Sequence, residues 1–372
     1  MVYILVQNSG RVEAWKVAIQ DDPDTNQDTG GVGKEAWTGT ATCLVHAGCI
    51  TSVVPFATAD GGAERIMITR SDFDAAWVVE TVDVVSPDTS VHLVDELRLI
   101  PSGPGLQASH HTITYPVGVV AEGRGYHVQA FVHTPLEPKD TSQPCRRRRK
   151  YPVMVLIHSG PNDAHREAWS VTWNPLLWTS RGFVVIAPNI SGSVGFGLPF
   201  AHSIFQQWGG RPYDDIVALL DWLALNKDGV VEDCQIDTDK VLCSGYSYGG
   251  YLVNWIAGQQ SRSQGQTNNN SIKFRALTVH GGVFSPRGLL GSDLPLAFAY
   301  DFGGFPWEGE EGEGKDDDKI NSWTRWDPAR FARNWRTMIK STAGHDGIPP
   351  ALRETGGRPC CLLTAARTFA SP

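Results

Sequence analysis

The sequence predicts an α/β protein in two parts, because the hydrophobic pattern changes near the middle of the chain. Up to about Pro138, short runs of alternating apolar residues such as HVQAFVHTP are separated by clusters of Gly, Pro, Asp and Asn. From Tyr151 onward, continuous apolar runs such as VMVLIH and FVVIAPN alternate with longer amphipathic segments. The length of 372 residues is also that of about two domains.

The composition argues against several classes of protein. The chain has 32 Lys and Arg against 40 Asp and Glu, a formal net charge of −8, whereas nucleic-acid-binding proteins present a strongly basic surface. No apolar run approaches the roughly 20 residues of a membrane helix, and the first residues lack the pattern of a secretion signal. We therefore expect no nucleic-acid partner, no membrane association and a cytoplasmic location for the chain as written.

No cofactor or metal is expected. The 7 cysteines lack the spacing of a metal site or of a disulfide framework. The glycine loop GSVGFG, at 192 to 197, is not followed by a P-loop lysine and does not have dinucleotide-binding spacing. The acidic segment Glu308 to Lys319 lacks the spacing of a calcium loop, so we interpret it as a solvated insertion.

Residues 1–138 are typical of antiparallel strands. Short strands with frequent turn signals suit propeller blades or a sandwich, and the segment is long enough for about two blades. We expect part of a β-propeller, with a small self-contained β-domain as the alternative. The polar segment 139–150, KDTSQPCRRRRK, is predicted to be a linker loop, and its four arginines are assigned no function.

The second part predicts a parallel sheet covered by helices. Its helices are expected from about Tyr213 to Asn226 and from Tyr248 to about Gln260, with KVLCSG and FRALTVHGG as strands before and after the latter. In open sheets of this kind the chemistry lies at the carboxyl ends of the strands.

The segment GYSYGGY lies at such a strand end and precedes a helix. It has the G-x-S-x-G pattern of a nucleophile elbow on an α/β-hydrolase domain, in which the serine occupies a strained turn. Ser247 is therefore the candidate nucleophile, and Gly245, Gly249 and Gly250 are expected to provide the space that the turn requires. The backbone N–H of Tyr248, at the start of the helix, is expected to face the developing oxyanion.

Several segments in the same order resemble the prolyl oligopeptidase family, most closely fungal dipeptidyl-peptidase V and acylaminoacyl-peptidase. They are YPVMVLIHSGP, APNISGSVGFG, QWGGRPYDDIV, GYSYGGYLVNWIAG and WTRWDPARF. The resemblance implies an α/β-hydrolase domain after a β-propeller, a serine peptidase acting on short peptides, and relatives of which some are secreted. It also implies that His158, Ser159 and Gly160 lie beside the oxyanion hole, with Ser159 in place of the usual glycine.

The remaining catalytic residues are not recognisable. The fold order is Ser, then Asp, then His, but the family pattern ends near Arg336, and residues 337–372 form a tail unlike the family. His345 and Asp346 are adjacent, so they are poorly placed to act as base and orienting carboxylate. We expect a hydrolase domain of residues 151–336 that is incomplete at its C-terminal edge, in a chain truncated at both ends and inactive as written.

Other titratable residues favour structural roles. Asp214 and Asp215 fall in the first turn of a helix, where acids interact favourably with the helix dipole, and His280 lies at a strand end. Two further functions stay open, a carboxylesterase on the same fold and an inactive homologue that only binds. The sequence does not indicate an oligomeric state.

Overall fold

The computed structural model describes residues 2–18, 40–56, 65–76, 78–84, 93–98, 108–117, 125–136, 150–231, 234–259, 272–291, 295–308 and 321–335. The chain divides into two compact units, one comprising Met1–Leu106 with Arg166–Asn174 and the other Gln107–His165 with Pro175–Pro372. The predicted linker before Lys150, most of the acidic insertion and the tail with His345 and Asp346 lie outside the described residues.

The first unit contains one sheet of seven described strands. These are β1 (Val2–Asn8), β2 (Arg11–Val17), β3 (Ala41–Val45), β4 (Cys49–Phe56), β5 (Arg65–Ser71), β6 (Val78–Asp83) and β7 (Leu93–Arg98). Alternate residues are buried along β6, as a half-buried strand requires. The buried apolar residues that pack together are Ala14, Leu44, Ile50, Ile66, Ile68, Val82 and Val84.

The strands of this unit pair almost entirely antiparallel, as expected. The exception is a single parallel contact between Val12 of β2 and Cys49 of β4. Strands β4 to β7 follow one another as an antiparallel meander of four, the strand number and order of one propeller blade. Membership of a propeller stays a prediction.

The second unit contains a sheet of six described strands with helices. The strands are β8 (Ala108–Val117), β9 (Tyr126–Pro135), β10 (Lys150–Ile157), β11 (Val184–Asn189), β12 (Gln235–Tyr246) and β13 (Phe274–His280). The helices are α1 (Leu176–Thr179), α2 (Leu198–Ala201), α3 (Arg211–Leu225), α4 (Tyr248–Gln259), α5 (Pro295–Phe302) and α6 (Ser322–Arg325). The strand order across the sheet is β13-β12-β10-β11-β9-β8.

The sheet is mixed rather than wholly parallel. Strands β10, β11, β12 and β13 are parallel, as the pattern predicts, whereas β9 pairs antiparallel with β11 and β8 antiparallel with β9. Residues 108–135 thus lie in the α/β unit, although the sequence pattern grouped them with the preceding strands. The physical reason is burial, since every residue from Val128 to Thr134 is buried, as a strand covered on both faces requires.

Helices α3 and α4 and the apolar side chains of one sheet face form the main core of this unit. Helix α3 contributes Ile216, Leu219 and Leu223, and α4 is buried on every side from Tyr248 to Gly258. The other face carries a smaller cluster around Met154, Leu156 and Val185. None of the described helices has the length and hydropathy needed to cross a lipid bilayer.

Candidate active site

Ser247 lies in a strained turn between β12, which ends at Tyr246, and α4, which begins at Tyr248. Its φ is +55°, a left-handed value that is rare for residues other than glycine. Hydrogen bonds to the backbone N–H and to the carbonyl oxygen of Ser247 hold this turn in place. The Ser247 N–H donates to the His280 carbonyl oxygen at 3.0 Å, and the Ser247 carbonyl oxygen accepts from the Tyr251 N–H at 2.9 Å. This is the geometry expected of a nucleophile elbow.

Close backbone contacts explain the glycines around Ser247. A Cβ at position 245 would lie 2.3 Å from the carbonyl carbon of Gly249, and one at 249 would lie 2.3 Å from the carbonyl oxygen of Ile157. A Cβ at 250 would lie 2.6 Å from the Cα of Gly282. Strand β10, the elbow and the segment after β13 are therefore packed backbone against backbone.

The Tyr248 side chain is committed elsewhere, so the role predicted for Tyr248 in the site would fall to its backbone. The side chain is buried, and its hydroxyl donates to the Trp208 carbonyl oxygen at 2.8 Å. Burial, followed by the charges of Asp215 and Asp301, raises the pKa of this phenol well above its ordinary value. The backbone N–H at the start of α4 is the group that suits an anion.

His158 follows β10 and lies beside the elbow, since a Cβ at Gly249 would also meet the His158 carbonyl oxygen at 2.7 Å. Its Nδ1 is 2.7 Å from the Ser159 carbonyl oxygen, and its Nε2 is 2.8 Å from the Ser193 Oγ. Both ring nitrogens are thus engaged in holding the turn. This arrangement suits a positioning residue and not a general base.

The turn after His158 depends on local polar contacts. Gly160 has φ +119°, and a Cβ there would lie 2.7 Å from the backbone nitrogen of Asn162. The hydroxyl of Ser159 donates to the Asp163 Oδ2 at 2.9 Å. A serine at 159 is therefore accommodated by a bond to its own turn.

Two asparagines that sequence reasoning missed organise the neighbouring loops. The Asn162 side-chain amide donates to the carbonyl oxygens of Gly192 and Ala201, both at 2.9 Å, and so ties the glycine loop to the turn. The fully buried Asn189 accepts from the His165 N–H at 2.7 Å and donates to the Gln129 Oε1 at 2.5 Å. Nothing in the sequence distinguishes these residues from ordinary turn formers, because their partners are distant in the chain.

Asp214 and Asp215 have different environments, so they do not form a paired carboxylate site. Asp215 is buried and accepts from the Tyr126 hydroxyl at 2.5 Å and from the Ser191 N–H at 2.6 Å. Burial raises the pKa of Asp215 to about 6, against the opposing effect of these bonds. Asp214 also lies in the first turn of α3, but it is exposed. Asp215 thus fastens the loop after β11, a structural role.

The base that would activate Ser247 is not found among the described residues. The backbone of His280 contacts Ser247, and burial lowers the pKa of the half-buried His280 ring. Within the described part of the chain, no hydrogen bond joins the Ser247 hydroxyl to another residue. The same residues contain no group of three or more His, Cys, Asp or Glu that could hold a metal ion. His345 and Asp346, the other candidates, lie outside these residues.

Comparison with known sequences identifies the family. Residues 169–330 match the sequence profile of the prolyl oligopeptidase family. This segment is a prolyl oligopeptidase family sequence. The match confirms the resemblance expected from the sequence segments.

Curated relatives carry peptidase names. Dipeptidyl-peptidase 5 of Schizosaccharomyces pombe is 31% identical over 290 residues, which are 77% of this chain and 37% of that protein. A probable dipeptidyl-peptidase 5 of Aspergillus flavus is 34% identical over 257 residues, 68% of this chain and 30% of that protein. The chain therefore spans about a third of the length of these relatives.

Solved structures share the fold. The acylaminoacyl peptidase of Pyrococcus horikoshii matches with a TM-score of 0.58 and 17% identity, covering 89% of this chain and 42% of that one. A puromycin-hydrolyzing peptidase of Mycobacterium tuberculosis matches with a TM-score of 0.54 and 17% identity, covering 91% of this chain and 47% of that one. At this identity the similarity concerns the fold alone.

Proposed function

We propose that the chain is part of a serine peptidase that hydrolyses short peptides through an acyl-enzyme formed on Ser247. The observation that carries the proposal is the position of Ser247, at φ +55° between a strand and a helix, with glycines where side chains would collide. The peptidase names of the relatives support it. One structural neighbour is described as an acylaminoacyl peptidase in complex with Z-Gly-Gly-Phe-chloromethyl ketone, which favours a peptide as substrate.

In this proposal the Ser247 Oγ attacks the carbonyl carbon of the scissile bond and gives its proton to a base. The negative charge that develops on the carbonyl oxygen is stabilised by the Tyr248 N–H, beside the turn formed by His158, Ser159 and Gly160. The amine leaves with the proton, and water then hydrolyses the acyl-enzyme. The base and its carboxylate would follow α4 in the chain, as the fold order requires.

The proposal also includes the fold of the two parts of the chain, an α/β-hydrolase domain that follows part of a β-propeller. The mixed sheet with α3, α4 and the elbow supports an α/β-hydrolase domain. The four-stranded meander β4 to β7 supports part of a β-propeller before it.

A fluorophosphonate probe tests the nucleophile directly, because it reacts with activated serines. The full chain is treated with the probe alongside Ser247→Ala and the matched control Ser180→Ala, whose serine is exposed at the C-terminal end of α1. Labelling of the wild type and of Ser180→Ala, but not of Ser247→Ala, supports the proposal. Equal labelling of all three proteins contradicts it.

One observation favours a second function, a homologue that binds peptides without cleaving them. It is the lack of a hydrogen bond from the Ser247 hydroxyl to any described residue. A folded wild-type chain that binds a short peptide but is not labelled would support this function. For a chain that is labelled, hydrolysis of an aminoacyl-nitroanilide in preference to a nitrophenyl ester distinguishes a peptidase from a carboxylesterase.

A further inference from the structure

The turn that follows β10 is closed by Asp163, a residue to which the proposed hydrolysis gives no part. The Asp163 Oδ2 accepts from the Ser159 hydroxyl at 2.9 Å, and its Oδ1 accepts from the Ala164 N–H at 2.9 Å. One carboxylate thus binds a side chain four residues earlier and the backbone of the next residue. Residues 159–164 are therefore held together as one short loop.

The backbone of Gly160 makes this closure possible. Its φ is +119°, and a Cβ there would lie 2.7 Å from the Asp163 backbone nitrogen and 3.1 Å from the Asp163 Cβ. Asp163 therefore packs directly on Gly160, with no room for a side chain between them. The position of the Gly160 backbone thus depends on where Asp163 lies.

Asp163 also joins the turn to the glycine loop, residues 192 to 197. Its carbonyl oxygen accepts from the Val194 N–H at 3.1 Å. The adjacent Asn162 donates to the Gly192 carbonyl oxygen at 2.9 Å. Two neighbouring residues of the turn are therefore bonded to the loop that follows β11.

The turn begins against the elbow and ends at Asp163. A Cβ at Gly249 would lie 2.7 Å from the His158 carbonyl oxygen, so the start of the turn is in backbone contact with the elbow. Between the two ends, Gly160 is exposed. The turn therefore presents an exposed stretch of backbone beside the elbow on two supports, as a site that binds substrate requires.

We propose that Asp163 is a positioning residue that fixes the Gly160 backbone relative to the elbow, through its bonds to the Ser159 hydroxyl and the Val194 N–H. The consequence for Ser247 rests on the proposed function, in which this turn lies beside the developing oxyanion. Groups that stabilise such a charge are effective only when they are already in place. The placement of the turn itself does not depend on catalysis.

Hydrogen exchange of the full chain, followed by mass spectrometry, tests the placement. Asp163→Ala removes both carboxylate bonds, so peptides that cover residues 158–165 and 190–197 are expected to exchange about tenfold faster than in the wild type. Asp163→Asn is expected to recover most of the protection, because its amide keeps an acceptor for the Ala164 N–H and a donor toward the Ser159 hydroxyl. Ser159→Ala removes one of the two bonds and is expected to give a smaller acceleration.

Asp237→Ala is the matched control. Asp237 lies near the start of β12, and its Oδ1 accepts from the Asp239 N–H at 3.1 Å, a short-range bond like that between Asp163 and Ala164. Ser247 follows the other end of this strand. The control is therefore expected to exchange like the wild type at the turn and at the glycine loop.

The kinetics of fluorophosphonate labelling test the consequence for Ser247. In Asp163→Ala the labelling rate at saturating probe is expected to fall about tenfold, because a displaced group no longer meets the transition state. The probe concentration that gives half of the maximal rate should stay the same, and Asp163→Asn should restore most of the rate. A purely structural role would lower stability and leave the labelling rate of the folded protein unchanged.

Two outcomes would overturn the inference. The first is equal exchange at the turn and the glycine loop in Asp163→Ala and Asp237→Ala. The second is an unchanged labelling rate in Asp163→Ala, which would remove its effect on Ser247. If Asp163→Ala does not fold, the comparison of Ser159→Ala with Asp237→Ala decides both points. A wild-type chain that is not labelled would count against the proposed function, and hydrogen exchange would then decide the placement of the turn.

Discussion

Gly249 packs against Ile157 so closely that a Cβ at position 249 would lie 2.3 Å from the Ile157 carbonyl oxygen. The contact joins the first turn of α4 to the end of β10. Through it, the elbow that carries Ser247 and the turn that begins at His158 are held together by main-chain atoms. The distance between Ser247 and the turn at His158 therefore depends on the absence of a side chain at position 249.

Gly249→Ala is expected to lower the free energy of unfolding by about 2–3 kcal/mol, because the new methyl group can be accommodated only if β10 and α4 move apart. Urea denaturation measures the change. Gly229→Ala is the control, since a Cβ at 229 has nothing within 4 Å and should change stability by less than about 0.5 kcal/mol. Similar losses in both variants would show that the close approach is not a constraint.

Tyr248→Phe is expected to cost about 1–2 kcal/mol of unfolding free energy, since it leaves the buried Trp208 carbonyl oxygen without its 2.8 Å partner. Tyr251→Phe removes a comparable bond to the Trp326 carbonyl oxygen and serves as the matched variant. If Tyr248 acts through its backbone N–H, the rate of fluorophosphonate labelling should be the same in both folded variants. A labelling defect confined to Tyr248→Phe would instead give its hydroxyl a part in the chemistry.

Asp215 is expected to make stability depend on pH. Its pKa is about 6 in the folded protein against 3.8 for the ordinary group. The folded state therefore holds the proton more tightly, so the stabilisation is complete below pH 3.8 and is lost as the pH rises through about 6. The shift of about two units corresponds to about 3 kcal/mol.

Asp215→Asn should remove this dependence, because the amide does not titrate. The stability difference between variant and wild type, measured by urea denaturation, should shift by about 2 to 2.5 kcal/mol in favour of the variant between about pH 4 and about pH 7. Asp228→Asn, which removes a carboxylate at an exposed position, is the control. A constant difference for Asp215→Asn would contradict the raised pKa.

Glu80→Ala is expected to destabilise the first unit by about 2 kcal/mol, because the Arg70 guanidinium loses its charged hydrogen bonds to Glu80 and keeps only its 3.2 Å pair with Asp72. The Arg70 Nη2 lies 2.6 Å from the Glu80 Oε1, and the Glu80 side chain is 4% exposed. Glu167→Ala breaks the more exposed pair with Arg11 and should cost about 0.5 kcal/mol. Thermal unfolding of both variants compares the pairs, and equal costs would contradict the importance of burial.

The part of the site nearest Ser247 could be predicted because its constraints are local. A strand, a glycine-rich turn and a helix follow one another within a few residues, and the observed helix α4, Tyr248–Gln259, begins where the pattern places it. Helix α3, Arg211–Leu225, likewise agrees closely with the amphipathic pattern from Tyr213 to Asn226. Short-range geometry and hydrophobic period suffice for such elements.

Features that depend on distant partners could not be predicted. The sequence pattern identifies β8 and β9 as strands but does not indicate which sheet they join. Strand β9 is buried on both faces, and its polar residues His133 and Gln129 interrupt the continuous apolar run that would indicate this burial. Asn162 and Asn189 are similar cases, because their roles come from carbonyl and amide groups in other loops. The stretch before Ser180 resembles a longer helix, but the helix there is confined to Leu176–Thr179.

The first unit takes residues 166–174 from within the sequence of the second. In that segment the Glu167 N–H donates to the Gly10 carbonyl oxygen at 2.7 Å, and its carboxylate pairs with Arg11. During synthesis, the hairpin of β1 and β2 must therefore wait for more than 150 further residues before it acquires these partners. A fragment that ends at Leu106 would lack residues 166–174, which belong to the first unit. The two units therefore cannot be separated by cutting the chain at a single peptide bond.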